Sequence, residues 1–356
     1  MNRAEEGRAH RDRKEKSGTQ GSGKEKVRNK RQGSRRPRKS RGTGHKPVFL
    51  PVLIGVLLAA VLFFLLRGCS PDIERDKRET GKTAENAEKT EEIPDTPVEK
   101  YGVFLGIDSS SFSITKFEDY DIIVVDAQEL SAQQLAQLHL AGHTVYSYLN
   151  IGSVEKSRDY FERFQEYFMG SYDNWPDEVW VDVTQEEWQK FVSEELLDRI
   201  LDKDPEIDGL FLDNLDVYSR ISDMENEDMT QDAYDALTAI LETYQEEELP
   251  VLINGADLFV DRLIREGETG LIRGVNQETV FSRIMNYDLD SFGRQNDKEK
   301  ETYLSYLKRC REAGLAVFLL EYTTDESLKK EIEQFCMKNS YQFYISEHVD
   351  LGFSDK

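Results

Sequence analysis

The 356-residue chain contains only 5 His and 3 Cys, and this scarcity removes whole classes of chemistry. The histidines are His10, His45, His139, His143 and His348, and no metal-ligand cluster can be assembled from them. No Gly-x-Ser-x-Gly occurs, so the sharp turn that presents a nucleophilic serine in α/β-hydrolases is missing. A Ser-His-Asp hydrolase and a zinc hydrolase are both disfavoured. Gly18 to Lys24 comes close to a phosphate-binding loop, but Glu25 stands where Ser or Thr is required and no strand precedes it. Of the cysteines, Cys310 and Cys336 fall on successive predicted helices. A disulfide between them needs an oxidising compartment and Cα atoms within about 7 Å, and otherwise both stay free.

Basic residues are scarce in most of the chain and acidic ones at its start. Residues 1–46 hold 17 Lys and Arg against 5 Asp and Glu, a net of +12, which leaves −35 on the remainder of a chain totalling −23. The basic tail is rich in Gly and Ser and has no hydrophobic periodicity, which predicts disorder. Residues 47–66 then run without a charge, long enough to cross a bilayer as a helix. With the basic tail in front, they read as a single-pass signal anchor with a cytoplasmic N-terminus and an extracellular remainder. Leu66-Arg67-Gly68-Cys69 suggests a lipoprotein signal instead, but Arg67 sits where that signal needs a small or apolar residue. Arg35 to Lys39 reads as a topology signal on the inner leaflet, and no nucleic-acid partner is expected. Residues 67–99 are charged, poor in aromatics and interrupted by Pro94 and Pro97, as in a flexible stalk.

The folded part is expected over residues 100–356. Eight apolar runs read as strands: 103–107, 122–125, 144–149, 209–212, 251–253, 272–275, 315–320 and 342–345. Most are separated by helical periodicity, as at 131–140, 185–201, 231–246 and 298–313. This alternation predicts an α/β fold, a (β/α)₈ TIM barrel. An open doubly wound sheet is the alternative, but it wants a Gly-rich first turn, and here that turn is Ile107-Asp108-Ser109-Ser110-Ser111.

In such a barrel, the residues that end each strand converge on one face. Here they are Asp108, Asp126, Tyr148 with Asn150, Asp213 with Asn214 and Asp216, Asn254, Gln277 with Glu278, Glu321 with Tyr322, and Ser346. Carboxylates, amides and tyrosines dominate, with neither His nor Cys among them. Amides and carboxylates hydrogen-bond sugar hydroxyls, and aromatics such as Trp175 and Trp180 stack on sugar rings. Two carboxylates suffice to cleave a glycosidic bond, without a cofactor or metal. Each residue also has a plainer reading. Asp108 can cap its serine turn, Tyr148 can be a core side chain, and Glu321 can be a structural partner.

Four ordered motifs sharpen this reading. Tyr148-Leu149-Asn150-Ile151-Gly152 is followed by Glu155, Arg158 and Tyr160; Trp175-Pro176 precedes Val181-Asp182; then come Asp208 to Tyr218 and Gln277-Glu278-Thr279-Val280-Phe281. Over about residues 101–348 this resembles glycoside hydrolase family 114, the endo-α-1,4-polygalactosaminidases, related to the hydrolase domain of the Pel exopolysaccharide system. The sequence departs from its relatives at Ser153-Val154, where an acidic residue and Ala are common.

The resemblance implies a barrel with Asp213 as nucleophile and Glu278 as general acid/base, or the reverse. The strand-end residues and the stretch around Asp213 supply the expected substrate contacts: Asp108, Tyr148, Asn150, Asn214, Asp216, Tyr218, Asn254, Glu321 and Tyr322. The implied partner is a galactosamine-type polysaccharide, cationic where deacetylated, and by extension the exopolysaccharide synthesis machinery. An acidic domain would attract such a polymer, although acidity also simply keeps a domain soluble. Two other functions compete: an inactive barrel that binds the polymer, and a peptidoglycan-cleaving barrel, because Gly106-Ile107-Asp108 resembles the opening of some lysozyme families.

Overall fold

The computed structural model describes residues 99–353 apart from 173, 174 and 225. The expected basic tail, membrane segment and stalk, up to residue 98, lie outside the described residues. Among those described, no helix is long and apolar enough to cross a membrane.

Eight parallel strands form one sheet in sequential order: β1 (Tyr101–Phe104), β2 (Ile122–Val125), β3 (Thr144–Asn150), β4 (Gly209–Asp213), β5 (Val251–Asn254), β6 (Gly274–Glu278), β7 (Ala316–Tyr322) and β8 (Gln342–Ser346). Strands β1, β2 and β5 are buried along their whole length. That explains their unbroken apolar runs, since helices cover one face and the barrel interior the other. The two ends of the sheet meet at β1 and β8. Phe104 and Tyr344 lie with ring centroids 5.3 Å apart, and the Gly106 N–H donates to the Leu351 carbonyl at 3.3 Å. The result is a nearly closed (β/α)₈ barrel.

Two expected strands are displaced, each for a local reason. The first spans residues 101–104 rather than 103–107, because Gly106 is pressed against the 350–352 backbone: a Cβ there would lie 2.2 Å from the Asp350 carbonyl oxygen. The sixth spans Gly274–Glu278 rather than 272–275. Its polar second half is buried and paired with β7, Asn276 with Phe318 and Glu278 with Leu320. An apolar-run criterion stops short of such a strand.

The helices largely follow expectation. Ser131 forms a capping box with Gln134 at the start of Ala132–Leu140. Asn226, Asn296 and Asp325 cap Glu227–Glu246, Asp297–Glu312 and Glu326–Asn339. The expected helix over 185–201 runs Glu186–Lys190 and Leu196–Lys203, joined by a π turn at Phe191–Glu195. Phe191, Val192 and Ser193 are all buried there, more consecutive positions than a regular helical stripe covers. Cys310 and Cys336 are buried on their two helices and both are free. Burial pushes the Cys310 thiol up to about 12.

Two insertions had no counterpart in the sequence reading. After β3 comes a three-stranded antiparallel sheet of Ser153–Glu155, Glu178–Val181 and Phe168–Ser171. After β6 comes a hairpin, Ser282–Asn286 with Ser291–Arg294. The segment Ile151-Gly152 docks the first insertion onto the end of β4. The Ile151 N–H donates to the Asp213 carbonyl at 3.1 Å, and Trp188 Nε1 donates to the Ile151 carbonyl at 2.9 Å. A Cβ on Gly152 would lie 1.8 Å from the Asn214 carbonyl oxygen, a backbone atom with no room to yield. Gly152→Ala is therefore expected to lower stability by about 1–3 kcal/mol or more. Gly270→Ala, with nothing within 4 Å, should stay within about 0.5 kcal/mol. Thermal unfolding of the two variants compares them directly, and equal Tm values would contradict this account of the β3–β4 junction.

Candidate active site

The end of β4 carries Asp213 and the end of β6 carries Glu278, with β5 and its last residue, Asn254, between them. One amide joins all three. Asn254 Nδ2 donates to Asp213 Oδ1 at 2.9 Å and to Glu278 Oε1 at 2.7 Å. Each carboxyl also accepts a phenol proton on its other oxygen: Tyr148 to Asp213 Oδ2 at 3.3 Å and Tyr322 to Glu278 Oε2 at 2.9 Å. Asn254 is itself oriented from behind. Its Oδ1 accepts from Asn276 Nδ2 at 2.7 Å, and Asn276 Oδ1 accepts from the Tyr101 hydroxyl at 3.3 Å. The polar half of β6 therefore turns the Asn254 amide toward the carboxyls. Asn276, which fixes that orientation, was not among the residues singled out by sequence.

These groups floor a cleft of about 560 Å³ at the C-terminal end of the barrel. Tyr148, Asp213, Asn214, Asp216, Asn254, Glu278 and Tyr322 all line it. Asp216 reaches the neighbouring end of β5, where its Oδ1 accepts the Ala256 N–H at 3.2 Å. Asn214 has φ +62, a left-handed conformation that Asn tolerates better than most residues. That turn aims its amide at a buried cluster. Asn214 Nδ2 lies 2.9 Å from Glu178 Oε1 and 3.1 Å from Asn150 Oδ1, while Asn150 Nδ2 donates to Glu178 Oε1 at 2.6 Å.

Four of the expected contacts are placed elsewhere. Asn150 is buried in the Glu178 cluster and braces the cleft wall from behind. Asp108 is exposed beyond the end of β1, where its Oδ1 accepts the Ser110 N–H at 2.8 Å and the Ser111 N–H at 2.9 Å. These bonds and the two serine hydroxyls hold its carboxyl down at about 2, so the turn-capping reading describes it. The Tyr218 hydroxyl accepts from Arg262 Nη1 at 3.2 Å, and its ring packs edge-on against Phe259. Glu321 is fully buried and faces away from the cleft. It accepts the Phe281 N–H at 3.0 Å and the Ser282 N–H at 2.8 Å. It grips the turn that follows Glu278, whereas its neighbour Tyr322, on the other face of β7, reaches Glu278 itself.

Among the other residues of the cleft wall are Glu155, Tyr172, Glu178, Asp257, Tyr287, Tyr303 and Asp350. Glu178 lies on the short strand Glu178–Val181, whose apolar Val179-Trp180-Val181 run shows no polar/apolar alternation to mark it in the sequence. Tyr287 lies in the hairpin and has no such signal either. Of the residues lining the cleft, seven are carboxylic (Glu155, Glu178, Asp213, Asp216, Asp257, Glu278 and Asp350) and none is Lys, Arg or His. Among the described residues, no group of three or more His, Cys, Asp or Glu is arranged to hold a metal ion.

Burial and mutual repulsion show in the proton affinities. Burial, then the charge of Asp213, lifts Glu278 to about 7, against the bonds from Asn254 and Tyr322. The same two causes lift Asp216 to about 7. Burial lifts Glu178 and Glu321 to about 7 as well, and raises Asp213 above the ordinary carboxylate range. A carboxyl that holds its proton more tightly when folded stabilises the fold at low pH, and that contribution disappears as pH rises through the folded value. Tm is therefore expected to fall between about pH 5 and pH 8 at constant ionic strength. Glu278→Gln, which cannot titrate, should flatten part of that slope. A Tm that rises over this window would refute the assignment.

Comparison with known proteins bears on this geometry in two ways. No curated protein matches the sequence. Solved structures with a similar fold include the glycoside hydrolase domain of PelA from Pseudomonas aeruginosa, 15% identical with a TM-score of 0.59, covering 71% of this chain and 96% of that one. Aspergillus fumigatus Ega3 in complex with galactosamine is 17% identical with a TM-score of 0.55, covering 72% of this chain and 93% of that one. At these identities the likeness establishes a shared barrel. Residues 83–352 match the family model of Glycoside-hydrolase family GH114. That span is well over half of the sequence, and the chain belongs to Glycoside-hydrolase family GH114.

Proposed function

We infer that the domain cleaves internal bonds of a cationic, galactosamine-type polysaccharide, with Asp213 as nucleophile and Glu278 as general acid/base. The observation that carries this is the Asn254 amide shared between the two carboxyls. Its two bonds, 2.9 and 2.7 Å, cap the separation of the bonded oxygens at their sum. A retaining pair sits about 5–5.5 Å apart, and an inverting pair, which must admit a water, about 6.5–9.5 Å. The shared donor supports the retaining reading. In it, Asp213 attacks the anomeric carbon while Glu278 gives its proton to the departing oxygen. Water then attacks the glycosyl ester, Glu278 takes its proton, and Asp213 is released.

The electrostatics support this division of roles. The charge of Asp213 is, after burial, the cause that raises Glu278 to about 7, which supports Glu278 as the proton-carrying member of the pair and Asp213 as the nucleophile. The substrate class is supported by the seven lining carboxyls with no cationic side chain among them, a wall that attracts ammonium groups and repels acidic sugars. The galactosamine held by Ega3 agrees with this choice. We further propose that residues 47–66 anchor the barrel to a membrane with the cleft on the outer side. Protease treatment of intact cells should then remove the domain and leave the basic tail protected.

The direct test is to incubate the protein with partially deacetylated poly-galactosamine, chitosan and peptidoglycan and to measure released oligosaccharides. Wild type should cut the first, and Asp213→Asn should lose at least about 10³-fold in kcat. Asn254→Ala should lose about 10²-fold with its fold intact. Release from peptidoglycan alone, or from none of the three, would overturn the reading. The alkaline limb of kcat/KM should fall near pH 7, where Glu278 loses its proton, and Glu278→Gln should abolish that limb. KM for the polycation should rise as salt goes from about 0.05 to 0.5 M, because screening weakens the attraction of the acidic cleft.

A further inference from the structure

The two insertions make contact. Trp175 belongs to the segment after β3 and Tyr287 to the hairpin after β6. Their rings meet edge to face, with centroids 5.7 Å apart and planes at 81°. In the strand order of the barrel, β4 and β5 separate β3 from β6. A contact between the two insertions therefore spans the mouth at the strands that end in Asp213 and Asn254. Both rings line the same cleft as the carboxyl pair. Tyr287 also lies close enough to Glu278 for that carboxylate, together with burial, to raise its phenol.

This ring pair differs chemically from the rest of the rim. Carboxylates supply charge but no flat apolar surface. Trp175 is 42% exposed, whereas Trp180 is 9% exposed and Trp188 fully buried. A pyranose presents a flat C–H face, and an ammonium-bearing sugar is also drawn to the electron-rich face of an indole. Two rings at nearly a right angle form a corner with one wall for the sugar face and one for its edge. The hairpin that supplies the second wall is held in place from the side. Asp290, at its tip, lies 2.9 Å from His348 Nδ1 through one oxygen and accepts the Val349 N–H at 2.8 Å through the other. Its base is gripped by Glu321 through the Ser282 N–H.

We propose that Trp175 and Tyr287 form a binding corner for one amino-sugar ring of the polymer, neighbouring the ring held by Asp213 and Glu278, and that Asp290 keeps the corner assembled. The proposal rests on the polysaccharide reading above and adds to it a subsite that senses chain length. A substrate too short to reach the corner gains nothing from it, whereas a polymer that fills it binds more tightly.

The experiment uses the full chain and size-fractionated, partially deacetylated galactosamine oligomers. Trp175→Ala and Tyr287→Ala should each raise KM for long chains by about fivefold to tenfold, with kcat little changed, and the penalty should shrink as the chain shortens. Trp175→Phe, which keeps a flat face, should recover most of the loss. Asp290→Ala, whose side chain does not line the cleft, should raise KM for long chains several-fold without lowering kcat. Binding is read separately in the Asp213→Asn background by tryptophan fluorescence, because Trp175 is the exposed one of the 3 tryptophans. Long chains should change the emission, and adding Tyr287→Ala should weaken their Kd by a similar factor.

A loss that is equal at every chain length, or no loss at all, overturns the corner while leaving the catalytic reading intact. Wild-type protein that cleaves none of these chains but binds them in a Tyr287-dependent way overturns the catalytic reading and leaves the corner standing. No fluorescence response to any chain overturns the corner.

Discussion

The site depends on one side-chain amide. Two carboxyls at the ends of β4 and β6 repel each other, and burial of their side chains strengthens that repulsion. Asn254 places one donor on each of them, and it can do so only because Asn276 occupies its carbonyl oxygen. The cascade starts at Tyr101 on β1, crosses to β6 and returns to β5. Fold and site are therefore coupled through three strands.

Much of this was legible in the sequence, because a parallel strand covered on both faces leaves an unbroken apolar run and ends where the polar residues begin. Asp213, Asn254, Glu278 and Tyr322 were read in this way and line one cleft. The same rule failed where polarity lay inside a strand. Asn276 is buried in β6, and an apolar criterion cuts that strand short and misses the residue that orients Asn254. Glu321 misled for the opposite reason. In an extended strand alternate residues face opposite ways, so of the neighbours Glu321 and Tyr322 only one can reach the cleft. Which one could not be decided without the register that pairs Glu321 with Ile345. Tyr287 and Trp175 come together through insertions whose paths depend on long-range contacts, for which a single sequence offers no periodic signal.

The electrostatic arrangement has a structural cost that the barrel distributes. Glu178, Asp216, Glu278 and Glu321 are all lifted to about 7, each held by backbone or amide donors rather than by a cation. Arg158, which lies behind the cleft, pairs with Asp126 at 2.7 Å and with Glu155 at 3.0 Å. Positive charge is thereby kept outside the wall while one wall carboxylate is still balanced. Such an arrangement leaves the cleft free to receive its countercharge from a ligand.

The two thiols of the folded domain carry a different consequence. Cys310 and Cys336 sit unpaired on neighbouring helices, sealed from solvent, and burial raises both. Thiolate, the form that attacks disulfides and oxidants, is therefore scarce at either position. Among the described residues, neither thiol offers an oxidant a ready target.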